Sequence, residues 1–329
     1  MLRLWLNRFL VLAALGASGC ATNIAPSPVA TAQLRAVGFL AREVPAWSRE
    51  NHCFSCHNNG DAARALYAAT GAGYRVPARA LADTTAWIAR PDSWEHNKGD
   101  PGFSDLRLAN IQFATSLLAA FDAGHVKDRR ALELAARNVM ADQETDGAWH
   151  IEPRNSVGSP ATYGTTLATC LALKILKRAG VPETNEAVRR AERWLNSAHP
   201  DNIPAAAALL SALARGPAET ARQQEESLSL VRRAQTPDGG WGPYEDSPPE
   251  PFDTALVLIA LVNFRDVPDV GVLIHRGRNY LVARQGPDGS WPATTRPPGG
   301  DSYAQRVSTS AWATLALLVT NEPGDSVGR

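Results

Sequence analysis

Three segments of seven residues decide the fold of this 329-residue chain: QETDGAW at residues 143–149, QTPDGGW at 235–241 and QGPDGSW at 285–291. Within their shared pattern Q-x-x-D-G-x-W, Asp-Gly predicts a tight turn, because glycine accepts a positive φ and aspartate can bond to nearby backbone. The glutamine amide is expected to satisfy backbone groups at the end of the preceding helix, and the tryptophan to clamp neighbouring helices. The motif residues are therefore predicted to be structural: Gln143, Asp146, Gly147, Trp149, Gln235, Asp238, Gly239, Trp241, Gln285, Asp288, Gly289 and Trp291.

Each motif separates two helical patterns of different character. Before the first motif, residues 130–142 mix polar and apolar positions, and after it residues 165–176 are far more apolar. A helix that is apolar nearly all round is a buried helix, and an amphipathic helix covers it. The repeating unit is therefore predicted to be an outer helix, a turn and an inner helix.

Weaker copies extend this unit along the chain. Residues 87–94 and 194–201 resemble decayed turns, and residues 34–44 and 62–69 have the patterns of a first outer and a first inner helix. Six such units predict an all-α protein, an (α/α)6 toroid of six helical hairpins, with some other helical repeat array as the alternative.

The repeats resemble those of the squalene–hopene cyclase and protein prenyltransferase superfamily, whose fold is an (α/α)6 toroid. In that family the Gln/Trp motifs are structural, so the resemblance implies the fold but not the chemistry. Class II cyclases protonate their substrate through a D-x-D-D motif, and this sequence has no such string. Prenyltransferases hold zinc with Asp, Cys and His, and here Asp253 stands where the histidine would be expected. The resemblance therefore leaves enzymatic activity uncertain, with the missing motifs arguing against it.

The N-terminal residues are typical of a lipoprotein signal peptide. Arg3 and Arg8 lie before a short apolar run, and small residues follow this run and lead into Cys20. The apolar run is too short to span a bilayer. We expect lipidation at Cys20, with plain signal-peptidase cleavage as the alternative. By resemblance, Ala21 favours the outer membrane, so the predicted location is an outer-membrane lipoprotein facing the periplasm, or otherwise the periplasm.

The predicted organisation is a signal peptide at 1–20, a tether at 21–31, one toroid domain at 32–322 and a tail at 323–329. The 33 basic and 33 acidic residues balance, so no long-range attraction for polyanions exists and nucleic acid is not an expected partner. Four cysteines are too few for a dense disulfide scaffold.

One motif carries a strong chemical signal. Cys53, Cys56 and His57 form C-x-x-C-H in the first turn, at residues 53–57, and this is the attachment signature of c-type haem. The two thiols would bind the vinyl groups of haem c and the histidine would ligate its iron. A disulfide between the two cysteines, or zinc held with His52 or His57, is the alternative.

Two further sets of residues are candidates for the same rim of the toroid. His96, in the second turn, is predicted to be the sixth iron ligand, with a surface histidine as the alternative. Tyr163, Asp253 and Tyr303 fall at the starts of inner helices and could line a cavity mouth for an isoprenoid or a quinone. Helix capping and packing are the alternative roles of these three residues.

The sequence thus predicts an exported, lipid-anchored c-type haem protein that transfers electrons, or senses a redox state or ligand, with an unidentified redox partner. Two alternatives remain open. One is a haem-dependent oxidoreductase or cyclase-like enzyme acting on an apolar isoprenoid or quinone. The other is a non-enzymatic helical binding scaffold in which Cys53 and Cys56 form a structural pair.

Overall fold

A computed structural model describes residues 26–97, 105–154, 156–214, 220–300, 302–322 and 325. These residues form α-helices, short π and 3-10 helices and turns, with no β-strand among them, which confirms the all-α prediction. No helix in the described segments is long and apolar enough to cross a membrane. The predicted signal peptide, including Cys20, lies outside the described residues.

Six helical hairpins follow one another along the chain, each with an outer and an inner helix. The outer helices are α1 (Pro28–Asn51), α3 (Ala78–Ile88), α5 (Arg129–Ala141), α7 (Asn185–Ser197), α9 (Ala221–Ala234) and α11 (Val270–Arg284). The inner helices are α2 (Ala63–Gly71), α4 (Leu106–Asp122), α6 (Thr165–Ala179), α8 (Ile203–Leu213), α10 (Pro251–Leu261) and α12 (Tyr303–Val319). The described residues also form short helices: the π-helix Cys56–Ala62 and the 3-10 helices Pro91–His96, Pro182–Thr184 and Val262–Phe264.

The inner helices form a closed ring. Each contacts the next, and α12 contacts both α10 and α2. Nearly every residue of α10 is buried, whereas α7 buries only the stripe Ala187, Ala191 and Leu195, which recurs every four residues. This difference is what an inner helix surrounded by neighbours and an outer helix facing solvent require. The predicted α/α toroid of six hairpins is confirmed.

The Q-x-x-D-G-x-W turns join each hairpin to the next. The Gln143 amide donates to the Gly147 carbonyl (3.0 Å) and to the Ala187 carbonyl of the next outer helix, α7 (2.8 Å). The buried Trp149 indole donates to the Val139 carbonyl of its own outer helix (2.7 Å). The other two turns repeat these bonds. In the second turn, Gln235 donates to the carbonyls of Gly239 and Leu273, and Trp241 donates to the Val231 carbonyl. In the third turn, Gln285 donates to the carbonyls of Gly289 and Ala32, and Trp291 donates to the Leu281 carbonyl.

The third turn closes the ring, because its partner is the first outer helix. Gln285 donates to the Ala32 carbonyl of α1 at 2.9 Å. Gly289 has φ +93° and lies so close to α1 that a Cβ there would overlap the Arg35 carbonyl. Position 289 therefore requires glycine for two reasons, the positive φ of the backbone and the close approach to α1.

We expect Gly289→Ala to destabilise the protein more than Gly73→Ala. Both glycines have φ near +90°, but a Cβ at Gly73 meets no atom within 4 Å. The strain of positive φ, roughly 1–2 kcal/mol, is common to both. Urea unfolding should show an additional loss of about 2 kcal/mol for Gly289→Ala, from the overlap with α1. Equal losses would mean that this contact does not close the ring.

Candidate functional site

The segment that carries the C-x-x-C-H motif is a π-helix, Cys56–Ala62, between α1 and α2. Such turns are rare and occur frequently at functional sites. Ser55 begins the segment: its hydroxyl accepts from the His57 amide (3.1 Å), and its carbonyl accepts from the amides of Asn59 (2.7 Å) and Gly60 (3.3 Å). The wide turn places the side chains of residues 57–61 against several neighbouring helices.

Two asparagines fix this π-helix to the outer helices. Asn58 donates to the Glu43 carbonyl of α1 (2.9 Å), and Asn59 donates to the Val44 carbonyl (3.2 Å) and to the Thr84 hydroxyl of α3 (2.8 Å). On its inner side, a Cβ at Gly60 would lie 3.1 Å from the Cβ of Gln112. The segment is therefore bonded on one side and packed directly against α4 on the other.

Asp61 is the centre of the site. Its carboxylate is only 1% exposed and accepts hydrogen bonds from the Tyr163 hydroxyl, the Ser308 hydroxyl (2.6 Å) and the Gln112 amide (3.0 Å). These donors belong to the start of α6, to α12 and to α4. Because three elements around the ring converge on one carboxylate, Asp61 lies near the axis of the toroid.

Burial governs the electrostatics of this cluster. It raises the pKa of Asp61, although the hydrogen bonds from Ser308, Tyr163 and Gln112 and the nearby Arg64 guanidinium act in the opposite direction. Burial also raises the pKa of Tyr163 well above its ordinary value, with the charge of Asp61 as the next cause. Asp61 is therefore a carboxyl group that holds its proton more tightly than an exposed aspartate does.

His57 is linked to the same carboxylate through Ser308. Its Nδ1 lies 2.8 Å from the Ser308 hydroxyl oxygen, and that hydroxyl donates to Asp61. Burial lowers the pKa of His57 to about 4, so the imidazole is neutral at pH 7. His57, Ser308 and Asp61 form a continuous hydrogen-bonded path along which a proton can pass.

A cavity of about 640 Å³ occupies the lumen of the ring. This volume is within the ordinary range for small-molecule sites. The inner helices supply its walls, and the exposed Lys177 and Arg178, near the C-terminal end of α6, lie at its mouth. Its apolar lining includes Leu118, Leu167, Leu171, Leu256, Ile259 and Trp312.

The Asp61 cluster lies next to the inner end of this cavity. Arg64, which lines the cavity, follows Asp61 by three residues, and Trp312, which also lines it, follows Ser308 by four. Three to four residues are one helical turn. The Tyr163 ring packs edge-on against the Trp312 ring, with centroids 5.6 Å apart. Trp312 and Arg64 therefore border both the cavity and the acid cluster.

The structure places the three predicted mouth residues elsewhere than around this cavity. Tyr163 is buried against Asp61, and Asp253 is buried against Arg296 (2.6 Å). Tyr303 is 38% exposed, and its hydroxyl donates to Glu43 (2.7 Å). The described cavity opens at the C-terminal ends of the inner helices, whereas these residues lie at the N-terminal ends.

The site residues predicted from the sequence did not include Asp61, Arg64 or Ser308. The available signal was the polar run His57-Asn58-Asn59-Gly60-Asp61 directly before an apolar inner helix. Polar side chains at a position where the ring is closed on all sides must be paired with partners from other units. The C-x-x-C-H motif, which overlaps this run, predicts a role for the two cysteines and His57 instead.

The fold is that of type II terpene cyclases. A variant of the cyclase MstE from Scytonema, solved with its substrate geranylgeranyl dihydroxybenzoate, superposes with a TM-score of 0.58 at 16% identity, over 89% of this chain and 97% of that one. The unliganded form of MstE gives 0.57 at 16% identity, over 88% and 98%. A protein from Actinoplanes gives 0.58 at 17% identity, over 88% and 99%.

Two curated proteins are similar in sequence, and both are drimenyl diphosphate synthases. The one from Streptomyces showdoensis is 30% identical over 175 residues, 50% of this chain and 32% of that protein. The one from Streptantibioticus cattleyicolor is 26% identical over 236 residues, 64% of this chain and 41% of that protein. The chain thus spans about a third to two fifths of the length of these relatives. No family model matches the chain.

These findings overturn the haem prediction. The similar proteins are terpene cyclases, and the described residues contain no cluster of metal-ligating side chains. Cys53 is buried, with its sulfur 3.3 Å from the Trp47 indole nitrogen, and His57 is bonded to Ser308 inside the ring. Haem c held by Cys53, Cys56 and His57 is therefore wrong, because these side chains pack and bond within the protein.

The predictions that depended on haem are wrong for the same reason. Without haem, no basis remains for the predicted electron transfer, for sensing of a redox state or a ligand, or for a redox partner. His96 ends the 3-10 helix Pro91–His96, and its side chain lies outside the described part. Without haem there is no iron for His96 to bind, so its predicted role as the sixth ligand has no basis. No disulfide joins Cys53 to Cys56, so the alternative structural pair is not formed either.

We expect Asp61→Asn to stabilise the protein at neutral and alkaline pH. Because the pKa of Asp61 is higher in the folded than in the unfolded chain, the stability of the wild type falls as the pH rises through the interval between these pKa values. Asparagine removes this loss, so the midpoint of thermal unfolding should rise by about 2–4 °C at pH 8. The gain should disappear below the pKa of unfolded aspartate.

The control is Asp83→Asn on α3, where the side chain is exposed. This variant should unfold with the wild type at every pH. A lower midpoint for Asp61→Asn at pH 8 would show that the hydrogen bonds to the carboxylate outweigh its burial.

Proposed function

We propose that the protein is a cyclase-like enzyme that binds an apolar isoprenoid chain in the ring cavity and starts its cyclisation by proton transfer from Asp61. The observation that carries this proposal is a fully buried carboxyl group with a raised pKa, next to the inner end of an apolar cavity. The likeness to terpene cyclases in both sequence and fold supports it.

The chemistry needs an acid with two properties. It must hold its proton more tightly than an ordinary aspartate does, and burial raises the pKa of Asp61 in that direction. It must also give that proton to a weakly basic alkene, so its conjugate base has to be stabilised when it forms. The hydrogen bonds from Tyr163, Ser308 and Gln112 and the charge of Arg64 supply this stabilisation in a water-poor setting.

The atoms balance without a cofactor. The Asp61 proton adds to one carbon of a terminal alkene, and the adjacent carbon becomes a tertiary cation. The π electrons of a second alkene in the folded chain form the new ring bond and leave a cation at the far carbon of that alkene. Transfer of a proton from an adjacent carbon to water forms a double bond and gives a neutral product. The product is an isomer of the substrate. The path through Ser308 and His57 returns a proton to Asp61.

Asp61 is a better candidate than Asp253, the other fully buried carboxylate among the described residues. Burial raises the pKa of Asp253 as well, but Asp253 is paired with Arg296, which also contacts Glu250 (3.1 Å). Asp253 is thus part of a local ion cluster between α10 and the segment before α12. Asp61 instead receives its bonds from three separate inner elements beside the cavity.

This assignment also accounts for the missing D-x-D-D string. That motif would place three carboxylates within four residues of the chain. Here a single carboxyl group lies on the π-helix before α2, and its conjugate base is stabilised by hydroxyl and amide donors from the other helices. The absence of the string therefore does not leave the ring without an acid.

The test is conversion of farnesyl and geranylgeranyl substrates offered as diphosphates, alcohols and carboxylic acids. Products of unchanged mass with fewer double bonds are expected, and in D₂O each should gain one deuterium at carbon. Asp61→Asn should reduce the rate by roughly 10²–10⁴-fold, the usual contribution of a general acid. The same variant should be at least as stable as the wild type at pH 8, which separates lost chemistry from lost folding.

Asp253→Asn is the discriminating comparison, with folding checked by circular dichroism. If Asp61 is the acid, this variant retains the deuterium-incorporating activity. Loss of activity in a folded Asp253→Asn protein, with Asp61→Asn still active, would move the acid to Asp253. No conversion of any substrate by the wild type would contradict the proposed function.

A further inference from the structure

Tyr163, which donates to Asp61, has a backbone conformation that tyrosine rarely adopts. Its φ is +58°, in the left-handed region, where the Cβ of an L-residue is crowded by the following carbonyl. Two other non-glycine residues in the described part of the chain have a positive φ, His52 and Asp269, and both are exposed. Tyr163 is only 1% exposed. A buried aromatic residue therefore keeps a costly conformation directly beside the acid cluster.

The same position departs from the helical repeat. In the fifth and sixth hairpins, the residues before α10 and α12 are Glu250 and Ser302, whose backbone is extended with φ −125° and −142°. In the third hairpin, Tyr163 and Gly164 precede α6 with φ +58° and +74°. All three hairpins contain a complete Q-x-x-D-G-x-W turn, so this turn does not require a left-handed entry into the inner helix. The entry into α6 therefore has a different cause.

The segment before α6 folds back on itself and holds Tyr163 in this conformation. The Tyr163 amide donates to the Ser159 carbonyl (2.7 Å), and the Gly164 amide donates to the Thr162 carbonyl (2.6 Å). The Thr162 hydroxyl accepts from the Ser159 amide (3.2 Å). Gly158 completes the fold-back, because a Cβ there would lie only 2.0 Å from the Tyr163 carbonyl oxygen. Glycine is the residue that permits this approach.

The backbone of Tyr163 sets the direction of its side chain. The ring lies edge-on to the Trp312 ring, with centroids 5.6 Å apart, and the hydroxyl at its far end donates to Asp61. A hydrogen bond weakens steeply when its angle or its distance departs from the preferred range. If Tyr163 returned to a negative φ, its Cβ would leave the backbone in another direction and the hydroxyl would no longer meet the carboxylate.

The bond from Tyr163 acts on the acid in a definite direction. Burial raises the pKa of Asp61, and donation from the Tyr163 hydroxyl opposes this effect because it favours the ionised carboxylate. Ser308, Arg64 and Gln112 act in the same direction as Tyr163. Loss of the tyrosine bond would therefore raise the pKa of Asp61 further, and it would leave the carboxylate less stable once its proton has been given to a substrate.

We infer that Gly158 is a positioning residue: by admitting the Tyr163 carbonyl against its Cα, it holds the left-handed conformation that directs the tyrosine hydroxyl onto Asp61. Gly158 does not line the cavity, so it acts through Tyr163. This inference rests on the proposed function, since it concerns the same acid. The strain at Tyr163 is maintained by the fold-back because the site needs the hydroxyl at that point.

The test compares Gly158→Ala with Tyr163→Phe and with the double variant. Each single change should lower kcat of the deuterium-incorporating cyclisation by about 10- to 100-fold, the effect of one hydrogen bond to a charged group, with KM unchanged. The double variant should lose no more than Tyr163→Phe alone, because both changes remove the same bond. The matched control is Gly242→Ala, since a Cβ there would lie 2.2 Å from the Pro248 carbonyl oxygen in the loop before α10.

A second measurement does not depend on catalysis. If the tyrosine bond is lost, the pKa of folded Asp61 rises and the ionised carboxyl group destabilises the protein more at pH 8. The rise in the unfolding midpoint that Asp61→Asn causes at pH 8 should therefore be larger in Gly158→Ala and in Tyr163→Phe, by about 2–4 °C, than in the otherwise wild-type protein. In Gly242→Ala this rise should be unchanged, because that loop does not contact Asp61.

Thr162→Val decides by the same two measurements if Gly158→Ala does not fold. It removes the hydroxyl that accepts from Ser159 without adding a clash, and kcat should fall by about 3-fold, but not in the Tyr163→Phe background.

The outcomes separate this inference from the proposed function. A Gly158→Ala protein that behaves like Gly242→Ala, or a double variant whose losses add, would overturn the positioning role. A larger stabilisation by Asp61→Asn in Gly158→Ala, without any conversion by the wild type, would refute the proposed function alone. Conversion that depends on Asp61, with this stabilisation unchanged in Gly158→Ala, would refute the positioning role alone.

Discussion

The toroid depends on the contact between its last turn and its first helix. An inner helix that is apolar nearly all round is stable only when neighbours cover it on every side, so an open array would leave α2 and α12 each with an uncovered face. The Gln285 bond to Ala32 and the close approach of Gly289 to Arg35 close this seam. The acid cluster spans the same seam, because Ser308 of the sixth hairpin donates to Asp61 of the first. Closing the ring therefore also brings the residues of the site together.

The π-helix is where the chain departs from its own repeat. In three other hairpins an Asp-Gly turn leads to the inner helix, but in the first hairpin a polar run takes that place and extends into the lumen. Burying two asparagines and an aspartate there costs free energy, which their bonds to α1, α3, α4 and α12 offset. A departure from the repeat that costs free energy and is offset by hydrogen bonds from other helices is typical of a functional site.

The fold could be predicted because its signal is local. Each Q-x-x-D-G-x-W motif contains a turn and its contacts within seven residues, and repetition of the motif implies the ring. The site could not be predicted in the same way, because Asp61 meets Tyr163 and Ser308 across 102 and 247 residues of sequence. The C-x-x-C-H motif gave a wrong prediction for a related reason. Its spacing shows that the thiols and the imidazole are near each other, but it does not show that Trp47 bonds to Cys53 and Ser308 bonds to His57 in the fold. The wrong prediction that Tyr163 and Asp253 line the cavity mouth has the same origin, since their polar partners lie close to them only in the folded ring.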